Sequence, residues 1–581
     1  MKLTVASRKQ FQSASALVIT LIMGAVALAI LAAALAWQSS NTRLTYGAIQ
    51  YDQTVAAAEA ATEKVIGYMT QDFLNGGESL VVNNLNFYRT QTVPSTTDSA
   101  YWTTWFFDDG AGDTGQTYVQ RQGTAQYVSL DPIYGGLNAF VSTYTIVSHA
   151  SNSASIQAVN PGVYQQVQLA TIPIFQFAMY SSGEMEISCG QPFDVTGRVF
   201  ANGILYVEPD SSLTFESSVE AVVSNIFGRD PLDTRGPPVG SVVYVQPELE
   251  LSPVGALNLP IGTNNTPTAV REIIEPPPPG ESPSSQLGQL RYYNQCDMVV
   301  TVDNSGVTVT SGSFNNFATV VPPAEAQLFI STNNTSFYDW RESKTVLPID
   351  IDIGQMTSWS LTNSDLRMSL LGSNLTSVYV VDKRTLPGSD LGAVRVYDGK
   401  QLPPSGLTVA TGRPLYVQGD YNELNDVNLG TTNTANTRPA SLVADAITVL
   451  SDGWSDANSV NNLSSRLALK TTVNAALLTG VVETTYGNYS GGMENFPRFL
   501  ETWGTTPFTY NGSMVKMFPS LYATNSWGHA NVYKPPVRNW AFDVNFNDPT
   551  KLPPKTPGLQ TVIRSQWATV PSGTNNPPPS P

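Results

Sequence analysis

Between Phe11 and Thr42 the chain carries no charged residue, and the segment from Ala16 to Trp37, ALVITLIMGAVALAILAAALAW, is apolar apart from Thr20. As a helix this segment is about 33 Å long at about 1.5 Å per residue, enough to cross a hydrocarbon layer of roughly 30 Å. Lys2, Arg8 and Lys9 precede it, and Arg43 is the first charge after it. The positive flank predicts a single-pass membrane anchor, with the N-terminus inside and the body on the outer side. Beyond Trp37 the pattern becomes a stripe. Leu44, Ile49, Val55, Ala58, Val65, Ile66, Met69 and Phe73 recur at intervals near three and four, which predicts one continuous helix over 15–75. Its stop signal is Asn75-Gly76-Gly77.

An Ala-x-Ala pattern at Ala34, Leu35 and Ala36 offers a second reading of the same stretch, a signal peptide cut before Trp37. The apolar run exceeds the roughly 7 to 15 residues of a signal-peptide core, which favours a retained anchor. Cleavage after Ala14, cleavage after Ala36 and no cleavage remain three distinct expectations.

From residue 76 the helical period gives way to alternation. FVSTYTIVS at 140–148 and VQLATIPIFQFAMY at 167–180 are rich in β-branched and aromatic residues and read as long strands of a small α+β head over 76–182. The aromatic group Tyr101, Trp102, Trp105, Phe106 and Phe107 is assigned to the packing of that head on the helix. Between Met185 and Val223 strands become very short, and Val195, Leu205 and Phe215 stand ten residues apart. Short, evenly spaced strands suggest a solenoid or an irregular sandwich over 183–460. Related phrases recur as GRVFANGILYVEPD at 197–210, VVYVQP at 242–247, SVYVVD at 377–382, VRVYDG at 394–399 and GRPLYVQGD at 412–420, as rungs of one body would. A proline-rich insertion near 270–290, centred on Glu275 to Gly280, reads as extended and exposed. Runs at 441–454 and 467–485 contain inner strands, the β-rich character continues over 461–560, and 561–581 reads as a loose tail. The fold class expected is mainly β with a long N-terminal α-helix, followed by a β-solenoid or irregular β-sandwich body.

Composition narrows the function. Of 581 residues only 13% are charged, and the net charge is −16, which argues against nucleic acid as a partner because phosphates require a Lys/Arg surface. Cys189 and Cys296, the two cysteines, are open to either a disulfide or two buried thiols. With two histidines, His149 and His529, no ordinary zinc site is available without carboxylates, and no calcium-loop spacing occurs.

The run RKQFQSASALVITLIMGAVALAI together with QTVAAAEAATEKV resembles the N-terminus of PilX-type minor pilins and related pseudopilins of type IV pilus machinery. On that resemblance residues 1–14 are a basic leader, Ala14 is its last residue where Gly is commonest, Ser15 is the first mature residue, and Ala56 to Ala61 match the later alanine-rich segment. Major pilins carry Glu at the fifth mature position, where this chain has Ile19. The resemblance therefore implies an accessory subunit whose partners are membrane lipid and other pilin-like subunits, with Gly24, Ala25 and Ala32 to Ala34 permitting close helix approach. The phrases IPIFQFAMY, ITVLSDGW, AALLTG, SGGMENFPRFLETW and YNGSMV resemble C-terminal regions of bacterial proteins with a PilX-type N-terminus, and no activity comes with that likeness.

Catalytic motifs are absent: there is no G-x-S-x-G elbow, H-E-x-x-H helix or phosphate-binding glycine loop. For a β-helix glycan hydrolase or lyase, anchored or secreted, the residues to inspect are Asp350 with Asp352 on one strand face, and Glu494 with Arg498. Each pair is equally readable as an ion pair, an edge or a cap, and neither histidine has a partner in sequence that completes a catalytic set. The expectation is a non-enzymatic pilus or secretion-machinery component, without catalytic, cofactor-binding or metal residues. Its β-rich body is open to a surface or glycan ligand, and a cell-surface adhesin is the further alternative.

Overall fold

The computed structural model describes residues 12–130, 137–155, 159–246, 250–313, 316–332, 336–528 and 531–575. A long N-terminal helix leads into a large β-rich body. The helix runs Gln12–Asn83, with non-helical backbone at Gly76 and Gly77. Gly77 has φ +69, a left-handed conformation that glycine adopts at little cost. The expected stop is therefore a kink. The chain resumes helical geometry beyond it because Val81 joins Phe73, Met69, Ile66 and Val65 in one buried cluster.

The helix has two environments. From Leu17 to Leu44 its large apolar side chains are exposed, Trp37 at 71%. Thr20, the polar exception, donates its hydroxyl to the carbonyls of Ala16 and Leu17 at 3.0 and 2.9 Å, so the helix itself satisfies that group. Burial begins at Thr54 and continues through Ala57, Ala58 and Ala61. These small residues admit Trp105 and Phe107 against the helix, while Tyr101 and Phe106 of the same aromatic group point outward.

The helix packs on an antiparallel sheet in which strand Asn138–Asn152 lies between Gly162–Pro173 on one side and Trp105–Asp108 and Tyr118–Ser129 on the other. Strand alternation gives this sheet two apolar faces. Tyr144, Ile146, Val167 and Leu169 meet the helix, and Ala139, Val141, Ala170 and Ile172 meet the rest of the body. The sheet is completed from the far end of the chain. Strand Gly558–Val570 pairs antiparallel with Gly162–Pro173, so residues 561–570 of the segment expected to be a loose tail belong to an edge strand, and residues 576–581 lie outside the described residues. The expected single strand at 167–180 is divided by a 3-10 turn at Ile174–Gln176. There the buried Gln176 amide bonds the main chain of Asn138 in both directions, at 3.0 and 2.7 Å.

Between those two strands the chain builds a stack of parallel strands. In the first coils Met179–Ser181, Val199–Ala201 and Val219–Ala221 pair in register, as do Met185–Ile187, Ile204–Val207 and Ser224–Phe227. Phe193–Val195, Ser212–Phe215 and Ser241–Tyr244 form a third face. Val195 aligns with Phe215 and Met185 with Leu205; the ten-residue spacing in the sequence therefore steps between two faces of coils that recur about every twenty residues. Inward residues such as Met185, Leu205, Leu213 and Val219 fill one core.

The coils are not stacked in chain order. Along the parallel part of the longest sheet the order is 250, 219, 199, 179, 514, 476, 440, 407, 377, 298, giving each strand by its first residue, and two antiparallel strands, Gly306–Ser313 and Asn316–Val321, extend it beyond 298. The first coil enters the middle of the stack, successive coils run to one end, and residues 252–297 carry the chain back to the opposite end. From Met298 the coils then return until Met514–Pro519 pairs with Met179–Ser181. The returning segment lies on the outer face of the long sheet, burying Leu257, Ile273, Ile274 and Tyr292 against Tyr379, Val443 and Val515. The proline-rich stretch belongs to this segment and is half-buried to exposed.

Cys189 and Cys296 are both buried and unbonded. They belong to different clusters, Cys189 inside the coils and Cys296 under the returning segment.

Candidate functional site

The residues singled out by sequence are dispersed. Asp350 and Asp352 share a strand face, but Asp350 is buried in a two-point ion pair with Arg395, at 2.7 and 2.9 Å. Asp352 caps the helix Ile353–Thr362 by accepting from the Gln355 amide at 2.8 Å. His149 is fully buried in the head, its ring nitrogens 3.2 and 2.7 Å from the carbonyls of Asn160 and Thr574. It ties the chain after the last strand to the sheet. His529 lies outside the described residues. Arg498 is spent on Glu342 at 2.8 Å and on the Ala523 carbonyl, leaving Glu494 in a separate setting.

That setting is a cleft of about 460 Å³ at the corner of the first coils. It is lined by the turn after Met185–Ile187, with Ser188, Gly190 and Gln191, and by the next turn, with Asp210. One wall is Tyr489, stacked beneath the Arg235 guanidinium at 3.6 Å and edge-on to Trp527 at 5.8 Å. From Trp527 a hydrogen-bonded chain continues the lining. Trp527 donates through Nε1 to the Tyr533 hydroxyl at 2.8 Å, and that hydroxyl donates to Asn495 Oδ1 at 2.7 Å. Arg538 gives Nη2 to the same Asn495 oxygen at 3.2 Å and Nε to the Glu494 carbonyl at 3.1 Å.

Two glycines permit this wall. Gly491 and Gly492 have φ +101 and +66, and a Cβ on Gly492 would collide with the Tyr489 hydroxyl and the Glu494 carboxylate. The SGG sequence before MEN is thus a turn requirement. A Gly-Gly pair is a turn signal in sequence, and nothing local marks it as the support of an aromatic wall.

Charge within the cleft is unevenly compensated. Asp210 receives Arg229 at 2.7 Å, and Asp233 receives Arg235 at 2.7 Å. Glu494 is buried and accepts from the Ser188 amide and the Tyr489 hydroxyl, at 3.1 and 3.2 Å. Burial raises its pKa, with Arg538 opposing the shift. Beneath the cleft Glu208 is pushed up to about 8 by burial and by the neighbouring Glu186, and Glu186 itself to about 7 by burial. Glu208 is fully buried, and Glu186, bonded by Thr484 and Ser490, lines a separate small cleft with Arg341, Arg498 and Lys516. Arg538 makes no ion pair among the described residues.

Neither a protein-family model nor a curated protein matches the sequence. Among solved structures, the chain is similar to the competence-associated pilin ComZ from Thermus thermophilus. The match covers 89% of this chain and 98% of that one, at 10% identity and a TM-score of 0.29. It is a likeness in outline, and no residue correspondence follows from it.

Among the described residues no group of three or more His, Cys, Asp or Glu is placed to hold a metal ion. What the cleft offers chemically is planar aromatic surface edged by amide, carboxylate and guanidinium groups, the composition of a binding site.

Proposed function

We propose that the chain is a non-enzymatic accessory subunit of a type IV pilus or related assembly machinery, displaying its β-rich body outside the membrane. The observation that carries this reading is the divided helix. Its first part is apolar all round and exposed, with a window of mean hydropathy 2.7 and none of that window buried, while its second part is packed on the sheet. Exposed apolar surface of this extent is costly in water at about 25 cal/mol per Å², so it requires lipid or the equivalent helices of neighbouring subunits. Gly24, Ala25 and Ala32 to Ala34 supply the small side chains that close helix packing uses. Ile19 leaves that helix without a carboxylate near its start, which suits an accessory subunit better than the main fibre protein.

The test is mass spectrometry of the mature N-terminus from membranes of cells carrying the chain. A start at Ser15 is expected. A start at Trp37 releases the body from its apolar helix and overturns the proposal.

A further inference from the structure

We propose that the cleft between Arg235, Tyr489, Trp527 and Arg538 binds a carboxylated saccharide, a chain of uronic-acid units being the simplest case. This does not depend on the pilus reading, since the site is built entirely from the coil stack.

The argument begins with shape. The cleft's volume falls within the range of roughly 300 to 1,000 Å³ typical of small-molecule sites. Trp527 is half-buried, its ring held by the hydrogen bond to Tyr533 and by the edge contact with Tyr489. A fixed aromatic face flanked by polar groups matches a pyranose ring, which has an apolar C–H face and a rim of hydroxyls. The rim groups are Gln191, Asp210 and Asn495, and both Gln191 and Asp210 are exposed at the mouth. An aliphatic or purely aromatic ligand would strip water from the Gln191 amide and the remaining Arg538 donors without replacing it.

Charge then selects the kind of saccharide. Arg235 is neutralised by Asp233 and Asp210 by Arg229. Glu494 is held in a buried position by the Ser188 amide and the Tyr489 hydroxyl. Arg538 remains, half-buried, fixed by two hydrogen bonds that leave part of its five-donor fork for a ligand. A preorganised guanidinium is matched by a planar carboxylate, which accepts two parallel N–H bonds.

The experiment uses the full chain in detergent micelles and isothermal titration calorimetry with three probes: trigalacturonate, its fully methyl-esterified form, and citrate. Trigalacturonate should bind, the ester at least tenfold more weakly, and citrate not detectably. Arg538→Gln should lower affinity for trigalacturonate at least tenfold and leave ester binding unchanged, whereas Trp527→Ala should weaken both. Thermal melts verify that each variant is folded, and if one is not, the comparison of acid with ester on the parent chain still decides. Absence of binding, equal affinity for acid and ester, or citrate binding as tightly as the saccharide overturns the proposal.

Discussion

At the scale of single residues, burial rather than sequence identity decides what a polar group does. Glu501 looks like any glutamate in FLETW, yet it is 1% exposed and accepts both the amide and the hydroxyl of Ser451 at 2.7 Å. Desolvation raises its pKa from 4.5 to about 7, with the Ser451 bonds opposing. A carboxyl that holds its proton more tightly folded than unfolded adds stability below about pH 4.5. That contribution is lost as pH rises toward about 7. Glu501→Gln removes this dependence. Urea denaturation between pH 5 and 7 should show a flatter fall of stability in the variant, by up to about 1.4 kcal/mol per pH unit. An unchanged slope would mean that Glu501 is ionised in the folded protein. The same principle explains why Asp350 and Asp352, identical in sequence setting, end as an ion pair and a helix cap.

At the scale of elements, periodicity was the dependable signal. The stripe from Val55 to Phe73 is the buried face of the helix, and the alternation at 140–148 sorts residues onto the two faces of a sheet. What periodicity does not convey is the partner. Strand Gly558–Val570 alternates poorly, with exposed residues from Arg564 to Gln566, because it is an edge strand with a register shift there. It nevertheless closes the sheet and reaches the helix through the Arg564–Glu63 ion pair at 2.7 Å. Removing residues 558–581 should therefore release the helix and head while sparing the coils. In hydrogen exchange, amides of Asn138–Asn152 and Gly162–Pro173 are expected to lose protection, and those of Ser377–Asp382 and Ala440–Ala444 to keep it. Undiminished protection in the head would show that the last strand is dispensable.

At the scale of the whole molecule, the decisive feature is that the coils begin in the middle. The first and last coils seal each other, so both connections to the head leave from one place, and the returning segment spans nine strand spacings, about 43 Å at about 4.8 Å each. That segment is fastened by Arg271, which pairs with the fully buried Asp445 at 2.6 Å. Asp445 in turn accepts the amides of Leu521, Tyr522 and Ala523, joining the returning segment to the coil after Met514–Pro519. Arg271→Ala leaves a buried carboxylate without its cation and should cost about 3 to 5 kcal/mol in chemical denaturation. A loss below about 1 kcal/mol would mean that the three amides alone sustain Asp445.

The amino-acid sequence by itself determined the long helix, its apolar and amphipathic halves, the alternation of the head strands and the short-strand character of the body. These depend on local spacing, and local spacing is written in the chain. Tertiary structure alone decided that the final strand completes the first sheet, that coils 179 and 514 are neighbours, and that Tyr489, Trp527 and Arg538 converge on Ser188 and Asp210. Those outcomes are contacts between segments about 280 to 410 residues apart, selected by which apolar faces remain to be covered, and no local pattern encodes that choice.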